Sequence, residues 1–345
     1  MRLGFAVKIL GGGGLPSHDT RRWQSGPSLG VSLDRLEAIL RYAGAHDLRM
    51  YRMATGLAPY ASHPDLPAFR DQPQRFAQRL AEVGALAREL DVRLSTHPGQ
   101  YTVLNSEDER VQRLAAEELE VQAELLDGMG LGPEAVVVLH VGGAAGGTRA
   151  GLDRFCRGFE RLSDAARARL VIENDDRTFA LRDVLALSER IGRPVVWDIL
   201  HHHCHDPDRI PDREALELAV ATWPAGVTPK IHYSTPKTAL EEQRRKVGRR
   251  VERRLVLPQL RAHADLIDPI GFEHFVRETA AGIDVDVMLE AKAKDLAVFA
   301  LREHLAARGV ALPAVTQAPE PARPRERAGR ARAANAERSP RSRTA

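Results

Sequence analysis

The chain has 345 residues, of which 43% are hydrophobic and 28% charged, and its formal net charge is +3 at pH 7. This composition is typical of a soluble protein with a large core, and no apolar run approaches the roughly 18 residues of a membrane span. Only two cysteines are present, which excludes a disulfide framework and a cysteine-rich zinc site. With no signal-peptide pattern at the N-terminus, we expect a cytoplasmic protein without membrane attachment.

The predicted elements alternate in chain order between short β-rich segments and longer segments of helical periodicity. The predicted strands are Leu3–Val7, Arg49–Met53, Arg93–Thr96, Ala135–His140, Leu170–Glu173, Val195–Asp198, Lys230–Tyr233 and Val285–Glu290. The predicted helical segments are Ser32–Ala43, Pro73–Leu90, Asp108–Met129, Leu152–Ala166, Leu181–Ile191, Arg213–Thr222, an irregular stretch around Glu241–Leu266, and Lys294–Arg308. Strands that alternate with amphipathic helices indicate a parallel sheet. Eight such units favour a single closed (β/α)8 barrel over an open doubly wound sheet.

The positive charge is concentrated in two segments. Residues 318–345 contain eight Arg and three Glu, a net charge of +5, which leaves −2 for the rest of the chain. We therefore divide the chain into a barrel domain, residues 1–311, and a disordered basic tail, residues 312–345. The tail is either a solubilising extension or an arm that binds nucleic acid. A second basic run, Arg244 to Arg254, lies inside the barrel domain, and its simplest interpretation is a solvated helix face.

Six consecutive strands of the predicted barrel end in histidines or carboxylates. These residues, with a lysine of the seventh strand, are His97, His140, Glu173, Asp198, His201, Lys230, His232 and Glu290. Catalytic groups lie at the C-terminal ends of barrel strands, so we expect these side chains to converge at one mouth. Buried carboxylates and imidazoles are unfavourable unless they are paired or bind metal. A His, Asp and Glu set without Cys favours Zn²⁺ or Mn²⁺, and its size indicates two or three ions suited to phosphate ester hydrolysis.

These residues lie in stretches that resemble the UV-damage endonucleases, relatives of the endonuclease IV type abasic-site nucleases and of the xylose-isomerase-like barrels. The matching stretches are RLGF at Arg2, MYRMAT at Met50, SHPDLP at Ser62, HPGQYTVLNS at His97, LHVGG at Leu139, IENDD at Ile172, WDILHH at Trp197, KIHYS at Lys230, RAHADLID at Arg261 and MLEAKAKD at Met288. They extend from the first strand to the last helix. HPGQY with the downstream LNS is the most specific of them.

The resemblance implies a metal-dependent DNA repair endonuclease that cuts on the 5′ side of a lesion and leaves a 3′-hydroxyl and a 5′-phosphate. The implied lesions are cyclobutane pyrimidine dimers, 6-4 photoproducts and abasic sites in double-stranded DNA. The resemblance further implies up to three divalent ions, with Mn²⁺ favoured and Zn²⁺ or Mg²⁺ as alternatives. We expect the protein to act as a monomer.

The resemblance also implies a role for each site residue. Three sets of metal ligands are implied: His97, His140 and Glu173 for one ion; Glu173, Asp198, His232 and Glu290 for a second, with Glu173 bridging; and His201 with His263 for a third. Glu173, Lys230 and His63 are the expected catalytic residues, with His63 in contact with phosphate or metal. Lys230 occupies the place where the family can carry a carboxylated lysine, and an unmodified ammonium there would be repelled by metal cations.

Lesion recognition is implied for three residues of the HPGQYTVLNS stretch. Gln100 and Tyr101 match the pair that the family inserts into the duplex at the lesion. Tyr can stack in place of an extruded base, and Gln can hydrogen-bond the orphaned partner base. Asn105, further along the stretch, is also expected to bind the lesion.

Two departures from the family pattern and two alternative functions stay open. Phe5 and Ile9 stand where family members can carry Tyr and Asn, and the segment between His232 and His263 is longer than in short members. A pure abasic-site endonuclease would share the metal ligands, but HPGQY favours a UV-damage enzyme. A sugar isomerase on the same barrel would need neither DNA-inserting residues nor a basic arm.

Overall fold

The computed structural model describes residues 1–248 and 250–313, which form an α/β barrel with one projecting hairpin. The barrel strands are β1 (Leu3–Ala6), β2 (Met50–Arg52), β3 (Arg93–Ser95), β4 (Val137–His140), β5 (Leu170–Glu173), β6 (Val195–Val196), β7 (Lys230–Tyr233) and β10 (Asp286–Leu289), and the hairpin is β8 (Glu241–Val247) with β9 (Arg250–Val256). Each barrel strand falls inside its predicted segment. The predicted tail lies outside the described residues except for Leu312 and Pro313, so its disorder stays a prediction.

Helices follow the barrel strands and cover the outside of the sheet. They are α1 (Leu29–Ala45), α2 (Gln72–Arg75), α3 (Ala77–Glu89), α4 (Glu109–Gly128), α5 (Thr148–Glu160), α6 (Asp164–Arg169), α7 (Leu181–Ile191), α8 (Ile199–Cys204), α9 (Asp212–Val220), α10 (Pro269–His274) and α11 (Asp295–Ala307). Two predicted helices are each divided in two: one breaks at Phe76, and the other breaks before Ser163, whose side chain caps α6. Among the described residues, no helix combines the length and apolar character that crossing a membrane requires.

The eight parallel strands close into a ring through two single bridges. Five strands pair in the order β3-β2-β1-β10-β7, and three pair in the order β4-β5-β6. Parallel bridges from Thr96 to Val137 and from Asp198 to His232 join the two sheets. At the second bridge the amide of His232 donates to the carbonyl oxygen of Trp197 at 3.0 Å. The predicted (β/α)8 fold is therefore confirmed.

Contacts across the barrel interior follow the alternation of side chains along the strands. At the N-terminal end, Arg93 of β3 and Asp286 of β10 form a buried ion pair at 2.9 Å. Two residues further along β3, the hydroxyl of Ser95 accepts a hydrogen bond of 3.1 Å from the ammonium group of Lys230 on β7. A further two residues along each strand lie His97 and His232, whose rings are 5.7 Å apart. The inward-facing positions of β3 and β7 thus place polar side chains at the C-terminal mouth of the barrel.

The predicted helical stretch around Glu241–Leu266 is wrong. Its first part is the antiparallel hairpin β8–β9, which pairs from Glu241 with Val256 to Val247 with Arg250. A helix here would have no continuous apolar face to bury, because charged residues dominate both halves of the segment. Gly248 allows the reversal, since its φ of 60° lies in the left-handed region that glycine enters without strain.

Helix α3 packs closely against the C-terminal end of helix α4 at Gly84. A Cβ atom at Gly84 of α3 would overlap the backbone carbonyl of Met129, whereas a Cβ atom at Gly128 would lie 3.0 Å from the flexible side chain of Leu80. Because backbone cannot yield as a side-chain end can, Gly84 is required by packing.

We expect Gly84→Ala to lower the free energy of unfolding by about 1–3 kcal/mol, the usual effect of overpacking. This loss should occur although alanine gains about 1 kcal/mol in helix propensity over glycine. Gly128→Ala is the matched control: the same gain in helix propensity is opposed there only by the flexible Leu80 side chain, so this variant should be as stable as the unsubstituted protein or up to about 1 kcal/mol more stable. Urea unfolding of the three proteins measures both effects, and equal stability of the two variants would contradict the packing argument.

Candidate metal centre

The carboxylate of Glu173, the last residue of β5, is fully buried at the centre of the barrel mouth. Its Oε2 atom lies 2.9 Å from Nε2 of His97 and 3.5 Å from Nε2 of His140. Its Oε1 atom accepts a hydrogen bond of 2.8 Å from Nδ1 of His232. One carboxylate therefore contacts imidazoles from three different strand ends.

Asp198 places His201 beside this carboxylate. Asp198 caps the N-terminus of α8, where its side chain accepts a hydrogen bond of 2.8 Å from the amide of His201. The Nδ1 atom of His201 lies 3.6 Å from Oε1 of Glu173 and donates to the carbonyl oxygen of Asn174 at 3.1 Å. This bond fixes the tautomer that leaves Nε2 of His201 free to bind a metal ion.

His202 and His203, which follow His201 in the sequence, point elsewhere. His202 is buried and pairs with the carbonyl oxygen of Ile210, and His203 forms an ion pair with Asp212. Of these three consecutive histidines, His201 is the one that lies beside the Glu173 carboxylate.

Glu290, directly after β10, forms the other side of the cluster. Its Oε1 atom lies 3.5 Å from Nδ1 of His232, and its Oε2 atom lies 3.7 Å from Nδ1 of His263. It also forms an ion pair with Arg52, the last residue of β2. Sequence reasoning missed Arg52 as a residue of the site. Its position at the C-terminal end of a barrel strand and its place in the MYRMAT stretch could both have indicated such a role.

Several buried atoms of the cluster have no hydrogen-bond partner within the described part of the chain. They are Oε2 of Glu173, Oδ2 of Asp198, Nδ1 of His140 and Nε2 of His232. Buried polar atoms of this kind are rare unless a water molecule or an ion satisfies them. Three groups place one ligand atom per residue within 4.8 Å of one another: His97, His232 and Glu290; His97, His140 and Glu173; and Glu173, Asp198 and His201. These residues fit divalent cations.

The group of His97, His140 and Glu173 is identical to one predicted ligand set. The other two groups combine the predicted ligands differently. In the geometry His97, rather than Glu173 and Asp198, joins His232 and Glu290. His263 belongs to none of the three groups and reaches the cluster through Glu290. The assignment of ligands to particular ions therefore stays a prediction.

The charges of the cluster favour metal binding. Burial lowers the pKa of His97, His140 and His232, which keeps their imidazoles neutral, as a metal ligand must be. Burial likewise lowers the pKa of His201, but the neighbouring carboxylates outweigh it and raise that pKa to about 9. Burial raises the pKa of Asp198 to about 6. The carboxylates thus hold a proton on His201 that a divalent cation can replace.

Lys230 lies fully buried one layer below the cluster, on the inward face of β7 that it shares with His232. Burial holds the pKa of its ammonium group well below the usual range, and the charges of Arg93 and Arg52 act in the same direction. The side chain is therefore poised to be an uncharged amine at neutral pH.

The predicted lesion-binding residues lie in two different environments. Tyr101, on the loop after β3, is 85% exposed. Its neighbour Gln100 lines a groove of about 530 Å³ that also contains His140 and His201. Asn105 is only 1% exposed. Its Nδ2 atom donates to the carbonyl oxygen of Gly143 at 2.7 Å, and its Oδ1 atom accepts from the amide of Gly143 at 3.1 Å. Asn105 thus fastens this loop to the loop after β4 and does not face solvent.

His63 is exposed on the loop after β2, where its Nδ1 atom accepts a hydrogen bond from the amide of Asp65 at 3.2 Å. Its ring lies 6.2 Å from that of Tyr60. Over residues 1–248 and 250–313, we find no hydrogen bond, ion pair or ring contact between His63 and the cluster. The structure does not bring His63 together with the other predicted catalytic residues.

Comparison with known proteins gives consistent matches over most of the chain. Residues 31–317 match the family model described as "UV-endonuclease UvdE". The UV DNA damage endonuclease of Bacillus velezensis is 32% identical over 278 residues, 79% of each chain. That of Bacillus mycoides is 31% identical over 276 residues, 79% of this chain and 80% of the relative. The crystal structure of SacUVDE superposes with a TM-score of 0.73 at 30% identity, and covers 90% of this chain and 100% of its own.

More distant structures share the fold alone. A D-tagatose 3-epimerase-like protein superposes with a TM-score of 0.52 at 16% identity over 90% of this chain. The barrel and its buried His and carboxylate cluster thus define a protein of the class of (β/α)8 barrels with a candidate metal centre. Within that class, the chain belongs to the UV-endonuclease UvdE family. The resemblance inferred from the sequence is confirmed.

We expect Asn105→Ala to lower the free energy of unfolding by about 1–3 kcal/mol, because backbone groups of Gly143 lose their buried partner. Gln100→Ala, on the exposed part of the same loop, should change stability by less than about 0.5 kcal/mol. Thermal or urea unfolding without DNA measures both. A fully stable Asn105→Ala variant that binds damaged DNA poorly would instead support direct contact with the lesion.

Proposed function

We propose that this protein repairs UV-damaged DNA by hydrolysing the phosphodiester bond on the 5′ side of a photoproduct, leaving a 3′-hydroxyl and a 5′-phosphate. Its lesions would be cyclobutane pyrimidine dimers, 6-4 photoproducts and abasic sites, and it would act as a cytoplasmic monomer. The observation that carries the proposal is the Glu173 carboxylate, which contacts His97, His140 and His232 in a family whose relatives are named UV DNA damage endonucleases.

In this proposal the cluster holds up to three divalent ions, with Mn²⁺ favoured over Zn²⁺ or Mg²⁺. The ligands would be His97, His140, Glu173, Asp198, His201, His232, His263 and Glu290. Divalent ions bound at such a cluster lower the pKa of water and stabilise charge on the attacking and leaving oxygens of a phosphodiester. The protein's part is to present neutral imidazoles and buried carboxylates at fixed positions, with Glu173 between ligand sets.

Lys230 would complete the anionic ligand set as a carboxylated side chain. An uncharged amine is the form that adds carbon dioxide, forming a C–N bond and releasing a proton to give a carbamate. The complete burial of Lys230 and its lowered pKa support this assignment. His63 would then contact a DNA phosphate from its exposed loop rather than take part in the cluster.

Lesion recognition would fall to the loop after β3. Tyr101 projects into solvent beside the mouth, and Gln100 lines the groove that contains His140. Both are free to enter a duplex, because neither is held in the core. Asn105 would contribute by holding this loop in place through Gly143.

Family membership favours this proposal over the alternative functions. A sugar isomerase or epimerase shares the barrel, but similarity at 16% identity carries the fold alone. An abasic-site endonuclease without photoproduct activity is separated from the proposal by the choice of substrate in a single assay.

Incision of oligonucleotide duplexes that each carry one defined lesion tests the function directly. We expect Mn²⁺-dependent cutting 5′ of each photoproduct, with no cutting of the undamaged duplex. Glu173→Gln keeps the shape of the side chain and should lower incision by more than about a hundredfold, since losing even an outer partner of a metal ligand costs up to that amount. Metal analysis should show fewer bound ions in this variant. Cutting only at abasic sites, or full incision by Glu173→Gln, would refute the proposal.

Tyr101→Ala separates lesion recognition from metal binding. Base–aromatic stacking contributes about 1–3 kcal/mol per base, so we expect damaged duplex to bind roughly 5- to 150-fold more weakly. Metal content should not change, because Tyr101 is 85% exposed and belongs to none of the three candidate ligand groups. Tyr101→Phe keeps the ring and is the matched control, which should bind nearly as the unsubstituted protein does. If Tyr101→Ala lost metal, or bound damaged and undamaged duplex in the original ratio, this loop would have another role.

A further inference from the structure

The hairpin β8–β9, residues 241–256, projects from the same end of the barrel as the metal centre. We call it the basic arm. Its base is anchored by a bridge between Pro236 and His263, where the amide of Ala264 donates to the carbonyl oxygen of Thr235 at 2.9 Å. His263 in turn lies 3.7 Å from Glu290 of the cluster. The arm therefore leaves and rejoins the barrel directly beside the site.

The arm has no partner within the described part of the chain that covers either of its faces. Val251 and Leu255 are apolar residues of β9, yet they are 61% and 65% exposed. An isolated two-stranded hairpin is marginally stable in water, and exposed apolar side chains add nothing to its stability. A segment of this kind gains order when it lies against another molecule.

Strand register divides the side chains of the arm between two faces. Residues directly opposite each other share a face, which places Arg244 opposite Arg253 and Lys246 opposite Val251. Among the described residues of this face, only Glu242 offsets these cations, at 2.8 Å from Arg244 and 3.7 Å from Arg253. We call this the arginine face.

The other face of the arm carries less net charge: three arginines (Arg245, Arg250 and Arg254) against two glutamates (Glu241 and Glu252) leave +1, compared with +2 on the arginine face. There Arg245 lies opposite Glu252, and Arg254 lies opposite the uncharged Gln243. Like charges that face each other across a hairpin are destabilising, and Glu242, which contacts both guanidinium groups, balances only one of the two charges of the Arg244–Arg253 pair. Among the described residues of the arm, the arginine face alone combines a directly opposed pair of like charges with the larger net positive charge.

We propose that the arginine face of the basic arm binds the phosphate backbone of the DNA duplex that flanks the lesion. This inference rests on the proposed function, since it takes the substrate at the barrel mouth to be duplex DNA. Guanidinium groups bind phosphate oxygens in a bidentate manner, which suits the paired Arg244 and Arg253. Seven residues per strand give the arm a length of about 23 Å at roughly 3.3 Å per residue, enough to follow several phosphates.

The contact would supply affinity without lesion specificity. Phosphate contacts set the position of a protein on DNA and carry no sequence or damage information. Gln100 and Tyr101 would recognise the lesion. The arm would bind the undamaged duplex next to the lesion, on the side of the metal centre opposite the Gln100–Tyr101 loop. The arm should therefore strengthen binding to damaged and undamaged DNA by the same factor.

The salt dependence of duplex binding tests this inference with the full-length protein. The double variant Arg244→Gln/Arg253→Gln removes two phosphate contacts, so the slope of log K against log salt should fall by about 1.8, at roughly 0.9 per contact. The ratio of affinities for damaged and undamaged duplex should not change. Arg245→Gln/Arg254→Gln removes the same charge from the other face and should lower the slope by less than half as much. Arg244→Lys/Arg253→Lys should restore most of the slope.

Two results would overturn the inference: an unchanged slope in Arg244→Gln/Arg253→Gln, or equal losses from the two glutamine pairs. Thermal unfolding and metal content of each variant should match the unsubstituted protein, because the arm packs on neither the barrel nor the cluster. Binding is measured without incision. Failure of the proposed function would therefore appear separately, as absence of cutting of irradiated DNA by the unsubstituted protein.

Discussion

The burial of one carboxylate, that of Glu173, constrains the whole mouth of the barrel. A charged group removed from water is strongly unfavourable unless its oxygens are satisfied, and here three imidazoles from separate strands approach them. Burial opposes the ionisation of Glu173, but these histidines outweigh it and hold its pKa well below the usual range. Each surrounding strand must therefore end at the same level along the barrel axis as Glu173, with a residue that can contact its carboxylate facing inward.

The closure of the barrel is tied to the same residues. The two sheets meet at single bridges, and one of these joins Asp198 to His232, both candidate ligands. The other involves Thr96, which directly precedes His97. Backbone pairing between neighbouring strands is therefore weakest next to the candidate ligands. Cations that bind the cluster would also hold the two sheets together.

Much of this arrangement could be predicted from the sequence, because it follows from local periodicity. Apolar strands that end in His140, Glu173 or Asp198 fix both the strand ends and the inward direction of those side chains. The orientation of Asn105 could not be predicted, since its partner Gly143 lies on a different loop. The arm was mistaken for a helix because a charged segment without apolar periodicity carries almost no signal for either structure. Arg52 was missed because a single arginine at a strand end is common on protein surfaces.

The barrel interior is divided lengthwise into an ionic half and an apolar half. Arg93, Asp286 and Lys230 lie along one side, whereas Val136, Val138, Val171 and Val196 pack together on the other. Trp223 joins the two sides, since it packs on these valines and its ring centre lies 5.7 Å from the Arg93 guanidinium. The apolar half can change during evolution by single small substitutions, such as the gain or loss of a methyl group. Neighbouring apolar side chains can shift slightly to accommodate each change in volume. The ionic half cannot change by single substitutions in this way. Exchanging Arg93 alone would leave the buried Asp286 with one guanidinium partner fewer, so the buried charges must change together or not at all. Related barrels that acquire new chemistry are therefore expected to vary first along the valine side.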